Sequence, residues 1–313
     1  MGVFLPTVNQ MGFLMLLILI GYVIVRLNVV QSEGTVLISR LENNVFVPAL
    51  ILDTFVNNLT IDKIGDAWKY LLGGTILILL SIPLAIAIAR ICTKDKYLQN
   101  IYTYGLSFAN FGFMGNAVVM ALFPDMFMNY IIFVLPLWVA IYAWAVPVLL
   151  IPNSEGKRSI GETLKAFLNP MFVSIFIGAV LGLTKITLPD FLLTSFSSLG
   201  ACMSPLAMIL TGMTIAKIDL KKTFSSLSIY IVSLIRLIFI PLLVLLILIF
   251  LPVDEGIKLC TICTVSMPLG LNTIVVPGAY GQDTSVAAGL ALISHLLSCL
   301  TIPLVFTLFE FLV

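Results

Sequence analysis

Apolar residues run along this chain in about ten stretches, each closed off by a short polar connection, and that pattern sets the secondary structure. A run of roughly 20 apolar residues is what an α-helix needs to cross the hydrocarbon core of a bilayer. The runs predict membrane-crossing helices at 6–27, 36–58, 68–92, 98–123, 128–151, 166–184, 191–216, 227–251, 256–281 and 285–312, referred to below as spans 1 to 10. The connections are too short to hold a soluble domain. The longest, near residues 152–165, divides the chain into a first unit at 1–152, a linker at 153–165 and a second unit at 166–313. The first run has no basic leader before it and no small-residue cleavage site after it, which predicts a retained helix.

The two units carry helix-punctuating residues in register, at an offset of about 157. Ile20-Gly21 recurs as Ile177-Gly178, Val47-Pro48 as Ser204-Pro205, Ile82-Pro83-Leu84 as Ile240-Pro241-Leu242, and Gly112 and Asp125 as Gly270 and Asp283. Gly and Pro decide where a helix bends or stops, so matched positions predict two units that bend in the same places. Five spans per unit is an odd number. The units then lie in opposite orientations, as in transporters built from inverted repeats.

Composition agrees with the pattern: apolar residues are 60% of the chain and charged residues 10%, the balance of an integral membrane protein. A net charge of +1 points to no nucleic-acid or acidic partner. The five cysteines sit in apolar surroundings, and Cys260 and Cys263 lack the further ligands of a metal site, so neither disulfide nor metal nor other cofactor is expected. Lysine and arginine resist translocation. Arg26, Arg40, Arg90, Lys94, Lys96, Lys157, Arg158, Lys165, Lys217, Lys221 and Lys222 fall in alternate connections, against Lys63, Lys69, Lys185 and Lys258 on the other side. That bias predicts a multi-pass protein of the cytoplasmic membrane with both termini outside.

Spans 4 and 9 are interrupted at equivalent places, by Ala109-Asn110-Phe111-Gly112-Phe113-Met114-Gly115-Asn116 and by Ser266-Met267-Pro268-Leu269-Gly270-Leu271-Asn272-Thr273. Both stretches fall near mid-membrane. Backbone freed from a helix there must be buried in protein or line a water-filled cavity. Two breaks crossing one another would point half-helix N-termini, with their partial positive charge, at one spot where an anion is stabilised. The candidate binding residues are Asn110, Gly112, Gly115, Asn116, Pro268, Gly270, Asn272 and Thr273. The alternative is that Gly and Asn simply allow close helix packing.

The run Pro268-Leu269-Gly270-Leu271-Asn272-Thr273, with Ala279-Tyr280-Gly281-Gln282-Asp283 after it, resembles the auxin efflux carrier family. So do Asn110-Phe111-Gly112-Phe113-Met114-Gly115, Phe46-Val47-Pro48-Ala49-Leu50 and Asn169-Pro170, and the likeness extends over nearly the whole chain. Within that family the chain resembles the bacterial type that includes malate and malonate permeases. The resemblance implies an all-α membrane fold of ten helices in a five-plus-five inverted repeat, with crossed broken helices 4 and 9 similar to those of sodium-proton antiporters and bile-acid symporters. It also implies a scaffold of helices 1, 2, 6 and 7 and a moving transport domain of helices 3–5 and 8–10. Elevator-type transport of organic anions and a homodimer formed through the scaffold complete the expectation. Span 4 departs from the family pattern in having Asn116 and no proline.

Among the ionisable residues within spans, three are candidates for charge or coupling. Arg236 is near mid-depth in span 8, where an unpaired charge costs about 2.5 kcal/mol or more. It reads either as a counter-charge for substrate or a gating ion pair, or as a snorkelling side chain or a fixed donor to carbonyls freed at a crossover. His295, the only histidine, suits proton coupling, or a neutral ring bonded to a neighbouring helix. Glu42 suits a proton or a cation, although its place beside Arg40 and close to the interface favours an ordinary solvated or paired carboxylate. Asp125 and Asp283 read as helix-end caps.

The expected function is a secondary transporter carrying a small organic acid, with a proton or sodium as the coupling ion. A cation carrier would need a carboxylate at the crossovers, and neither motif has one. A non-transporting receptor on the same fold is the other alternative. An enzyme is not expected, because no paired carboxylates or Ser-His arrangement is apparent, and no phosphate-binding loop of the Walker type is present.

Overall fold

The computed structural model describes residues 2–30, 34–152, 168–216 and 227–313. The predicted linker at 153–165 lies outside the described residues, as do Lys157, Arg158, Lys165, Lys217, Lys221 and Lys222 and the side chain of Lys63. The described chain is helical throughout, in twelve helices with no strand. They are α1 (Phe4–Arg26), α2 (Gly34–Asn58), α3 (Ile61–Cys92), α4 (Lys96–Ser107), α5 (Phe111–Leu122) and α6 (Pro124–Leu150), followed by α7 (Pro170–Thr184), α8 (Asp190–Ile215), α9 (Leu227–Phe250), α10 (Glu255–Val265), α11 (Asn272–Ala279) and α12 (Ser285–Leu312). Seven of them, α1, α2, α3, α6, α8, α9 and α12, are long and apolar enough to cross a membrane.

Most predicted boundaries fall within a few residues of these. The exception is α3, which begins at Ile61 where the pattern predicts 68. Asp62, Lys63 and Asp66 interrupt the apolar run there, but polar side chains do not stop a helix. The breaks in spans 4 and 9 are real ends of helix: α4 stops at Ser107 before α5 begins at Phe111, and α10 stops at Val265 before α11 begins at Asn272. Asn169 caps α7, its side chain accepting from the Phe172 N–H at 3.2 Å. Asp283 accepts from the Ser285 N–H at 2.9 Å and so serves the start of α12, whereas Asp125 sits inside the opening turn of α6 and caps nothing among the described contacts.

Lipid, unlike water, offers no hydrophobic drive to pair helices, so close backbone approach matters more. α1 runs along α8 and also touches α12. Gly21 and Gly212 make the first contact: a Cβ on Gly212 would meet the Ile18 carbonyl and stand 2.8 Å from the Tyr22 nitrogen. α2 packs on α7 and α8, while α3 packs on α4 and α6, and α9 on α12. Rows of exposed apolar side chains, among them Leu16, Leu79, Leu80, Phe176, Leu246 and Phe250, cover the outside of the bundle.

Four segments among the described residues are wound as π-helix within longer helices: Glu42–Phe46 in α2, Phe111–Gly115 opening α5, Ile141–Leu150 closing α6, and Ile235–Phe239 in α9. Two of them directly precede the pairs Val47-Pro48 and Ile240-Pro241. Proline lacks the N–H that would close the preceding α-turn, and the ladder widens there.

Candidate functional site

The two breaks cross at the centre of the bundle. Ala109 and Leu269 form an antiparallel backbone bridge, and the Asn110 N–H donates to the Pro268 carbonyl at 2.8 Å. This is why α4 ends without a proline: Phe108 and Asn110 leave helical geometry, and the facing chain supplies Asn110 with the acceptor it loses. Ser294 of α12 completes the tie by accepting from the Leu269 N–H at 3.1 Å.

Arg236 lies behind the crossing, buried, and spends its donors on carbonyls: Nε on Met267 at 3.1 Å, Nη1 on Leu106 at 2.9 Å and Nη2 on Thr264 at 3.5 Å. Those carbonyls belong to the last turns of α4 and α10 and the residues just beyond, where helix dipoles leave partial negative charge. A guanidinium there answers both C-terminal ends at once. Of the readings open to it, this is the fixed donor to freed carbonyls.

The opposite ends of the half-helices face a cavity of about 50 Å³. Its wall includes Asn110 and Gly112 from the start of α5, Gly270 and Asn272 from the start of α11, Tyr104, and Asn43 of α2. Trp138 and Tyr142 of α6 close it, their rings stacked with centroids 5.9 Å apart. Where a water needs roughly 10–15 Å³ on this measure, such a space admits a carboxylate group and little more. Both asparagines are held in place. Asn272 Nδ2 donates to the Tyr104 hydroxyl at 2.8 Å, and Asn110 Nδ2 lies 3.1 Å from His295 Nε2. His295 Nδ1 is 2.7 Å from the Ala291 carbonyl, which only accepts, so Nδ1 carries the proton and a neutral ring presents Nε2 to the Asn110 amide.

Four of the predicted residues, Asn110, Gly112, Gly270 and Asn272, therefore line the cavity together. Three of the other four support it. Gly115 leaves room for the Tyr130 side chain, whose hydroxyl donates to the Phe111 carbonyl at 3.1 Å, and Pro268 supplies the carbonyl that Asn110 uses. Thr273 is buried and donates to the Gly270 carbonyl at 2.8 Å, while Asn116 lies deeper in α5 with its Oδ1 unpartnered. Sequence reasoning missed Tyr104, Trp138 and Tyr142. The spacing of Trp138 and Tyr142 by one helical turn in an apolar span was the available signal.

A second, larger cavity of about 500 Å³ opens between α2 and α8 on one side and α11 and α12 on the other. Thr35, Ser39, Arg40, Thr214, Ile274 and Ser285 are among its lining residues, so it begins two residues beyond Asn272. Among the described residues, Arg40 is the single charged side chain on its wall. Glu42 is placed differently from expectation: it is neither solvated nor paired but fully buried at 0% exposure, because the wider π-turn faces it into the bundle.

These features define a multi-pass helical membrane protein with a polar cavity at a crossing of two broken helices. A family model described as "Membrane transport protein" matches residues 6–306, almost the entire chain. The chain belongs to that membrane transport family, the auxin efflux carrier group its motifs resemble, and is a membrane transporter. Among curated proteins, none matches.

Proposed function

We propose that this protein is a secondary transporter of a small organic anion, a carboxylate of the malate or malonate kind, in the cytoplasmic membrane. The observation that carries the reading is the crossover cavity, where the N-terminal ends of α5 and α11 converge with Asn110 and Asn272 and no acidic side chain among the described residues lines the wall. Each helix N-terminus is worth about 0.3–1 kcal/mol to an anion, rising to about 2 kcal/mol when partly buried. The asparagine amides add donors of fixed direction. With Arg236 answering the C-terminal ends, the positive ends are left to the ligand.

Movement is of the elevator type on this reading. α1, α2, α7 and α8 form the scaffold, and α3–α6 with α9–α12 form the moving unit, the two units being an inverted repeat. The reading is supported by packing, since α2 joins α7 and α8 while α3 joins α4 and α6, and both cavities open along the surface where the two groups meet. The exposed apolar face of α7, including Phe176, suits pairing of two scaffolds in a homodimer. The charge bias of the connections supports termini on the outer side.

The test is thermal unfolding of the detergent-purified protein with a panel of small carboxylates. Selective upward shifts are expected, and Asn272→Ala should remove most of the shift while the unliganded protein still unfolds cooperatively. Stabilisation by cations with no response to any carboxylate would replace this reading with a cation carrier.

A further inference from the structure

Glu42 is the only wholly buried acid among the described residues, and neither carboxyl oxygen has a hydrogen-bond partner. It opens the π-turn of α2, which packs against α7 and α8. Gly200 meets Leu50 and Met213 reaches Gly34, so residues 200–213 of α8 face the turn. That stretch has no acid, base or histidine, and its one thiol, Cys202, donates to the Ser198 carbonyl of its own helix. α7 has no titratable side chain at all. On α2 itself, Arg40 is exposed on the wall of the larger cavity, and Asp53 lies further along, where it accepts from Asn57 Nδ2 at 2.9 Å. Among the described residues nothing near Glu42 offsets a negative charge, and an uncompensated carboxylate in a membrane interior is the costly state. A proton is the one cation that a solitary carboxyl group holds without further ligands.

We propose that Glu42 is the proton-coupling site of this transporter, holding a proton in the conformation seen here and releasing it in the alternative one. The inference rests on the transporter reading for its cycle, although the protonation of Glu42 stands without it. The turn lies between two spaces: Asn43 lines the crossover cavity, and Ser39 and Arg40 line the larger one. Movement of α4 and α5, or of α11 and α12, that widens either space brings water to the turn. Hydration favours the ionised form, the O–H bond breaks heterolytically, and the proton leaves to water. On return to the conformation seen here the carboxylate takes up a proton from water on the opposite side, so that one proton crosses per cycle.

Infrared spectroscopy of the detergent-purified wild type near neutral pH should show the carbonyl stretch of a protonated carboxylic acid, and the band should vanish in Glu42→Gln. In liposomes containing a pH-sensitive dye, with the membrane potential held at zero, a gradient of one pH unit should drive about tenfold accumulation of the transported carboxylate by the wild type. E42Q should still exchange the carboxylate across the membrane but show neither accumulation nor proton movement. Absence of the band in the wild type would overturn the proposal, as would proton-driven accumulation by E42Q or accumulation driven by sodium alone. If E42Q does not fold, wild-type protein with isotope-labelled glutamate replaces it, and a band that fails to shift on labelling rejects Glu42. A wild type that moves no carboxylate would defeat the transport reading, and the infrared band would still decide whether Glu42 holds a proton.

Discussion

Arg236 shows how much one side chain's meaning depends on what surrounds it. Its three bonds go to main-chain carbonyls that two interrupted helices would otherwise leave unsatisfied in an apolar interior. Arg236→Leu should therefore act on stability first, at roughly 1–3 kcal/mol for each buried carbonyl left without a donor. A lowered thermal midpoint in detergent checks this, and Arg236→Lys, which keeps a charge but loses the planar fork, should recover only part of it. Arg40 should behave in the opposite way, since it lines the larger cavity and is exposed. Arg40→Gln should leave stability unchanged and raise the KM for an anionic substrate several-fold, more so at low salt, because its contribution is long-range attraction. Initial-rate uptake at two ionic strengths measures it. Asn110 and Asn272 were legible in the sequence because polar residues are conspicuous in apolar spans. The burial of Glu42 was not, since distance along the chain put it near the interface and only the π-turn and the facing helices determine where it points.

At the scale of elements, the helices themselves were legible to within a few residues, because in a bilayer hydrophobic length and helix length are nearly the same quantity. The interruptions were legible too, although span 4 shows that proline is not required to end a helix when another backbone takes over its hydrogen bonds. The contact between α1 and α8 tests the packing argument most directly. Gly212→Val places side-chain atoms against the Ile18 carbonyl and should force the helices apart, at a cost of about 1–3 kcal/mol. The thermal midpoint should fall, whereas Gly12→Val, on the same α1 but with nothing within 4 Å of its Cβ position, should leave it nearly unchanged. The four π-wound segments each place a residue of interest, Glu42, Gly112, Tyr142 or Arg236, and the extra residue per turn re-aims the side chains that follow.

For the whole molecule, the proposed elevator movement makes the larger cavity a seam between a fixed and a moving body. In a cysteine-free background, Ser39→Cys on α2 and Ser285→Cys on α12, joined by a flexible bifunctional thiol reagent, should stop uptake while leaving carboxylate-induced thermal stabilisation in place. Unimpaired uptake after complete cross-linking would mean that the two sides do not separate during the cycle. By itself the sequence determined the membrane class, the helices, their two interruptions and the polar residues at them, since each depends on local composition and spacing. Only the tertiary structure decided that the interruptions meet, that Arg236 serves carbonyls rather than a cavity, that aromatic rings close the crossover space, and that Glu42 is buried with no partner among the described residues. Those outcomes depend on which segments become neighbours across more than a hundred residues, as with Ala109 and Leu269 or Arg236 and Leu106. Hydrogen-bond partners that far apart leave no periodic signature along the chain.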